Sequence, residues 1–220
     1  QDLLTAKRRL PGFSGEWVER KLGAFGKCLR GVSYDGKTDL KETDTPSTVR
    51  LLRSNNVQGG QVNFEDMQYV NSRRVSSHQY LRDGDALICM ANGSRALVGK
   101  AATFRSPDEL MYTFGAFMGA FRTFPETCSA RFLAHILNSD RYRFLLNVIL
   151  SGSAINNLAP SQVEGFEFLV PCDDQEQEAI AGVLDDMDAE IQALETRLEK
   201  ARQLKEGMMQ NLLTGRIRLV

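Results

Sequence analysis

Towards the C-terminus, apolar residues recur every three or four positions: Ile180, Leu184, Met187, Ile191, Leu194, Leu198 and Ala201. This spacing gathers them on one face of a helix, in the a/d arrangement by which two helices interlock. The stripe continues through Leu204, Met208 and Leu212, one position out of the earlier register, which predicts a local slip in such a coil. Pro171 halts the extended run Phe166 to Val170, and Asp173 followed three residues later by Glu176 has the form of an N-cap with its capping partner. From there to about Leu213 no proline intervenes. Some 40 residues rising about 1.5 Å each predict a rod on the order of 60 Å. The first two turns of its apolar face can pack on the same chain; the remainder needs a partner helix.

Before Pro171 the pattern changes to mixed α and β. Val49 to Leu52, Ala86 to Met90 and Ala96 to Lys100 are short runs rich in strand formers, separated by glycine, asparagine and serine clusters as strands joined by turns are. Ser129 to Asn138 and Arg141 to Leu150 carry apolar residues at helical intervals, with Ser139-Asp140 as a cap between them. Ser151-Gly152-Ser153 breaks that pattern, and Pro160-Ser161 opens another short element. The expected class is α+β: a globular domain with mixed sheet and short helices, followed by one long coiled-coil helix.

An internal repeat changes this picture. Residues 2–10, Asp-Leu-Leu-Thr-Ala-Lys-Arg-Arg-Leu, match residues 211–219, Asn-Leu-Leu-Thr-Gly-Arg-Ile-Arg-Leu, almost throughout. Unless so short a match is coincidence, the opening residues are the tail of an earlier helix equivalent to the terminal one, and the chain is one period of a duplicated design.

With 42% hydrophobic and 25% charged residues, the 220-residue chain has the balance of an ordinary soluble protein, and its longest apolar runs fall short of a membrane span. The basic N-terminal residues precede no apolar stretch, so no secretory signal is visible and a cytoplasmic location is expected. Cys28, Cys89, Cys128 and Cys172 lie far apart, in neither a zinc nor a disulfide pattern, and are expected to be reduced thiols. The net charge of −1 conceals a division: up to Cys172 there are 21 Lys and Arg against 17 Asp and Glu, and from Asp173 onward 6 against 11. An excess of four positive charges permits a local basic patch on the globular part without requiring one.

No catalytic or cofactor pattern emerges. Gly93 to Ala101 invites comparison with a phosphate-binding loop, but five residues separate its glycines and Ala101 stands where a hydroxyl must hold magnesium. Gly23 to Gly26 and Gly115 to Gly119 lack the grammar of a dinucleotide or methyl-donor site and suit close packing better. His135 lies among apolar residues as a core histidine does, neither it nor His78 has metal-ligand spacing, and Asp83-Gly84-Asp85 reads as a turn. No cofactor and no metal are expected. The polar loops offer another chemistry. Arg50, Arg53, Ser54, Asn55 and Asn56 form one cluster; Arg73, Arg74, His78, Gln79 and Tyr80 a second; Asn92, Ser94, Arg95 and Lys100 a third. Arginine can grip guanine bidentately, Asn or Gln can do so for adenine, and Lys and Ser can position phosphates. Such loops can equally be solvated surface.

Several runs together resemble a known family. Leu81-Arg82-Asp83-Gly84-Asp85-Ala86-Leu87-Ile88, followed by Asn92-Gly93-Ser94 and Val98-Gly99-Lys100, is similar to a pattern of type I restriction-modification specificity subunits. So are Leu51 to Val57, and Ser151-Gly152-Ser153 with Asn157-Leu158. The specific part is C-terminal: Pro171, Glu176-Gln177, Ile180-Ala181 and the run Leu204 to Leu219 resemble the family's conserved helix and its tail.

The resemblance implies a non-catalytic subunit with two recognition domains, each reading half of a split double-stranded DNA site, separated by two long helices that pair antiparallel. It implies that methyltransferase subunits and a restriction motor subunit supply the reactions. On this reading residues 1–10 are the tail of a preceding helix, 11–171 a target-recognition domain, 172–214 the long helix and 215–220 a tail. The helix face from Ile180 to Leu212 would then meet the other half of the subunit or a second copy of this chain. A coiled-coil adaptor that does not read DNA is the alternative.

Overall fold

The computed structural model describes residues 1–124, 127–152 and 156–214. Ser153 of the predicted helix break and the predicted tail 215–220 lie outside the described residues. In chain order the first strands are β1 (Trp17–Lys21), β2 (Gly26–Arg30), β3 (Leu40–Lys41), β4 (Thr48–Leu52), β5 (Val57–Gln58), β6 (Gln61–Val62) and β7 (Gln68–Asn71). There follow β8 (Ala86–Cys89), β9 (Ala101–Thr103), β10 (Tyr112–Phe114) and β11 (Met118–Thr123). Helices α1 (Ala130–Ile136), α2 (Asp140–Ser151) and α3 (Pro160–Glu164) precede β12 (Glu167–Pro171) and α4 (Asp174–Leu213). The class is α+β, with mixed sheets, short helices and a long C-terminal helix.

Three sheets form, in the orders β1-β12, β10-β4-β7-β3 and β2-β11-β8-β9-β6-β5. The turn between β10 and β11 carries the chain from the four-stranded to the six-stranded sheet. One apolar cluster draws on both: Leu52, Tyr112 and Phe114 pack with Leu87, Ala102, Met118 and Ala120. Phe64 sets its ring edge-on to Phe104 and Tyr112, at 6.2 and 5.5 Å between centroids. A second cluster, Val32, Val49, Leu51 and Val70, covers the other face of β4, as the alternation of a strand requires.

The Asp83-Gly84-Asp85 turn forms where the sequence places it, with Gly84 at a φ of +89° that favours glycine. Asp85, 2% exposed, accepts Arg122 Nε at 2.9 Å and Nη2 at 2.6 Å, and also the Arg82 N–H. The turn is thus bolted to β11. Ala96 to Lys100, expected as a strand, is instead a 3-10 turn (Arg95–Leu97) with β9 starting at Ala101. Gly99 breaks the extended path with a φ of +80° that favours glycine, and a Cβ there would press on the Leu146 side chain of α2.

Ser129 and Ser139 cap α1 and α2 by accepting the Phe132 and Tyr142 N–H groups, each at 3.2 Å. At the head of α4 the Asp173 carboxylate accepts the Gln175 N–H at 2.9 Å. Glu176 does not act as the capping partner that its spacing suggests. It is completely buried and accepts Arg9 Nε at 3.0 Å, Arg9 Nη2 at 2.6 Å and the Trp17 indole N–H at 3.3 Å. Residues 2–5 form a 3-10 turn, and the stretch after it leads to this ion pair.

The chain divides into two units, the first ending at Ile180 and the second beginning at Ala181. Ile180, the first residue of the predicted stripe, is 1% exposed and belongs to the first unit. In the second unit Met187, Ile191, Leu194, Leu198, Leu204 and Met208 are each more than half exposed. No described helix is long and apolar enough to cross a membrane.

Candidate nucleic-acid interface

Strand directions decide which polar loops meet. Strand β2 runs antiparallel to β11 with Arg30 opposite Gly119, and β8 does so with Cys89 opposite Met118. Strand β10 runs parallel to β4 with Phe114 opposite Leu52. The C-terminal ends of β2, β4, β8 and β10 therefore come to one edge, at the turn Gly115 to Phe117. Backbone bonds tie them: Gly115 N to Leu52 O at 3.0 Å, Val32 N to Phe114 O at 2.7 Å and Met90 N to Phe117 O at 2.8 Å.

The first and third polar clusters meet at this edge. Arg53, Ser54 and Asn55 follow β4, Asn92 and Ser94 follow β8, and Asn92 Nδ2 donates to Ser54 Oγ at 3.2 Å. The Asn92 side chain also accepts the Ser94 N–H at 2.9 Å, and Asn55 on the first loop and Ser94 on the second are exposed. Arg95 lies one residue further on and donates to Asn147 O and Ser151 Oγ at the end of α2. Lys100 is half-buried just before β9. From the second cluster only Gln79 is tied here, its amide donating to Arg30 O at 3.2 Å; His78 is exposed and Tyr80 half-buried nearby in sequence.

Arg73 and Arg74 lie elsewhere. They follow Asn71, the register partner of Thr48 at the other end of β4, so roughly 13 Å of strand separates that level from Leu52. Arg74 is paired with Asp39 at 2.8 Å, while Arg73 is exposed.

Two predicted residues serve the fold instead. Asn56 is 1% exposed; its carbonyl accepts the Arg53 N–H, and its amide donates to Asn63 O and Glu65 O. It builds the loop after β4 and presents nothing to a ligand. Arg50 is held within the four-stranded sheet by Asp44, Asp108 and the Tyr112 hydroxyl, at 3.0, 2.6 and 2.7 Å. Conversely, Arg30 and Phe117 stand at the edge although no polar cluster in the sequence announced them. Arg30 is an isolated cation at a strand end, and a search for hydrogen-bonding loops passes over a phenylalanine.

Among the described residues no three His, Cys, Asp or Glu side chains are grouped to hold a metal ion. What the edge offers is cations, amides and hydroxyls on short, backbone-tied loops, the donors and acceptors that phosphates and base edges require.

Comparison with known proteins bears on this edge. Residues 14–203 match the model of the type I restriction modification DNA specificity domain. The chain is 30% identical over 202 residues to the type I restriction enzyme StySPI specificity subunit of Salmonella potsdam, and 31% identical over 205 residues to the EcoKI specificity subunit of Escherichia coli strain K12. Each alignment covers 91% of this chain and 42% of the relative, so the chain spans less than half the length of either. The fold is similar to that of the HsdS subunit of Thermoanaerobacter tengcongensis, with a TM-score of 0.61 at 15% identity over 95% of this chain and 48% of that one. The family match runs from before β1 into α4 and so takes in both the strand-end edge and much of the long helix: the chain belongs to the type I restriction-modification DNA specificity domain family.

Proposed function

We propose that this chain reads one half of a bipartite double-stranded DNA target through its strand-end edge, and that its long helix joins the reader to a type I restriction-modification complex. The observation that carries the reading is the convergence of Arg30, Arg53, Ser54, Asn55, Asn92 and Ser94 on one edge of the body. Side chains on ordered loops keep a fixed pattern of donors and acceptors, which is what discrimination between base pairs requires. Separate methyltransferase subunits and a restriction motor subunit carry the reactions, in the cytoplasm. The helix face from Leu184 to Leu212 meets the corresponding helix of the other half, or of a second copy.

Arg53, Arg95 and the loop amides contact bases, whereas Arg73 and Arg74, at the far end of β4, contact phosphate at most. Methylation mapping with the reconstituted methyltransferase tests this. Arg53→Ala relaxes or weakens selection at one position of the half-site by about 1–3 kcal/mol, and Arg73→Ala leaves the half-site unchanged. A methylation pattern indifferent to exchange of this chain would instead mark it as a coiled-coil adaptor.

A further inference from the structure

Phe117 is 71% exposed in the middle of a polar edge. It ends the three-residue turn between β10 and β11, and its carbonyl accepts both the Met90 and Ala91 N–H groups, at 2.8 and 3.1 Å. The turn is closed on its other side by Met118 N donating to Gly115 O at 2.8 Å. A large apolar ring is thus held in water by a rigid backbone, an arrangement that nothing in the packing of the body requires. Beside it lies a hollow of about 150 Å³, with Ala91, Ala116, Phe117 and Leu158 as apolar lining and Arg30 and Asn157 as polar lining.

A benzyl group can neither donate nor accept, so it reads neither phosphate nor the polar positions of a base. In the major groove the one apolar group is the 5-methyl of thymine, for which phenylalanine is a suitable contact. We infer that Phe117, with the hollow beside it, receives the thymine 5-methyl group of an A·T pair in the half-site and is a specificity-determining residue. The inference rests on the proposed reading of DNA by this edge. The two bonds to the Phe117 carbonyl tie the turn to the end of β8, beside the loop that carries Asn92 and Ser94. Arg30 and Asn157, on the rim, are placed to hold the polar groups that flank the methyl.

The test uses the assembled methyltransferase and duplexes in which each thymine of the mapped half-site is replaced in turn by deoxyuridine, which removes only the methyl group. One replacement should weaken binding about fourfold, the factor that burying a single methyl-sized group carries. Phe117→Ala should weaken binding to the thymine duplex by a similar factor and respond no further to that replacement, while Arg53→Ala should still respond. A complex that discriminates half-sites yet ignores every replacement, or a Phe117→Ala complex that retains the full penalty, overturns the contact alone. Unstacking of a 2-aminopurine reporter beside the site also overturns it, in favour of a wedge. A complex without half-site preference overturns the proposed function, and this contact with it.

Discussion

Glu176 on the first turn of α4 holds Arg9 in a bidentate ion pair, with nitrogen to oxygen distances of 3.0 and 2.6 Å across 167 residues of sequence. The Glu176 side chain is fully buried while Arg9 keeps 28% exposure. Removing the arginine would leave the carboxylate, among the described residues, with the Trp17 indole as its side-chain donor. Arg9→Ala should therefore cost about 3 kcal/mol, the lower end for a broken buried pair, because water reaches the arginine side. Urea unfolding followed by circular dichroism measures it, and Trp17, the single tryptophan, should report the local change in fluorescence. A loss below about 1 kcal/mol would mean that water replaces the arginine fully.

Acid sensitivity has a local source at Asp108. The Leu110 N–H donated to its carboxylate, and then the Arg50 guanidinium, hold it below the ordinary value of 3.8. A depressed carboxyl contributes stability that is complete above the unfolded value and is lost as the pH falls through the folded one. Asp108→Asn should therefore flatten the fall in stability measured by urea melts between about pH 5 and pH 3. Asp35 and Asp39 are also held low, by backbone N–H groups and Arg74, so some slope should remain.

Thiol chemistry should separate the four cysteines. Burial pushes Cys28 and Cys128 up to about 12 and raises Cys89 as well, whereas Cys172 is exposed. At pH 8 one thiol per chain should react quickly with an aromatic disulfide reagent, and the others only as the protein unfolds. Cys172→Ser should abolish the fast phase; a fast phase that survives would place a second thiol within reach of solvent.

The apolar face of α4 should drive association through Leu194 and Leu198, each about half exposed. The wild-type chain is expected to sediment as a dimer at tens of micromolar and the Leu194→Glu, Leu198→Glu variant as a monomer of unchanged helicity. A monomeric wild-type chain would argue against this role for the seam.

How much of this was legible in the sequence depended on how local the cause was. The start of α4 could be read because Pro171 and Asp173 act within a turn of themselves, and its length because helical periodicity repeats. The turn at Gly84 and the cap at Ser139 were legible for the same reason. The partner of Glu176 was not, since it comes from 167 residues earlier in the sequence and displaces the local capping pattern. Asn56 looked like its neighbours Ser54 and Asn55, because its burial follows from carbonyls at Asn63 and Glu65 that wrap over it. The meeting of the loops after β4 and β8 followed from a parallel pairing of Leu52 with Phe114, which no turn length announces. Phe117 escaped notice because an apolar residue signals function only once its exposure is known.

Trp17 pairs with Pro171 and Lys21 with Glu167, so the strand that enters the body and the strand that leaves it run side by side as neighbours. Everything between Lys21 and Glu167 starts and ends at this two-stranded neck, and further bonds join it to the start of α4, from the Ser129 N–H to Gln177 and from Arg131 to Glu178. A body of different sequence grafted between those residues would inherit the same neck, provided it meets Gln177 and Glu178 in a compatible way. On the proposed reading, a new DNA preference would come from exchanging the whole segment between the two strands, without stepwise remodelling of its loops.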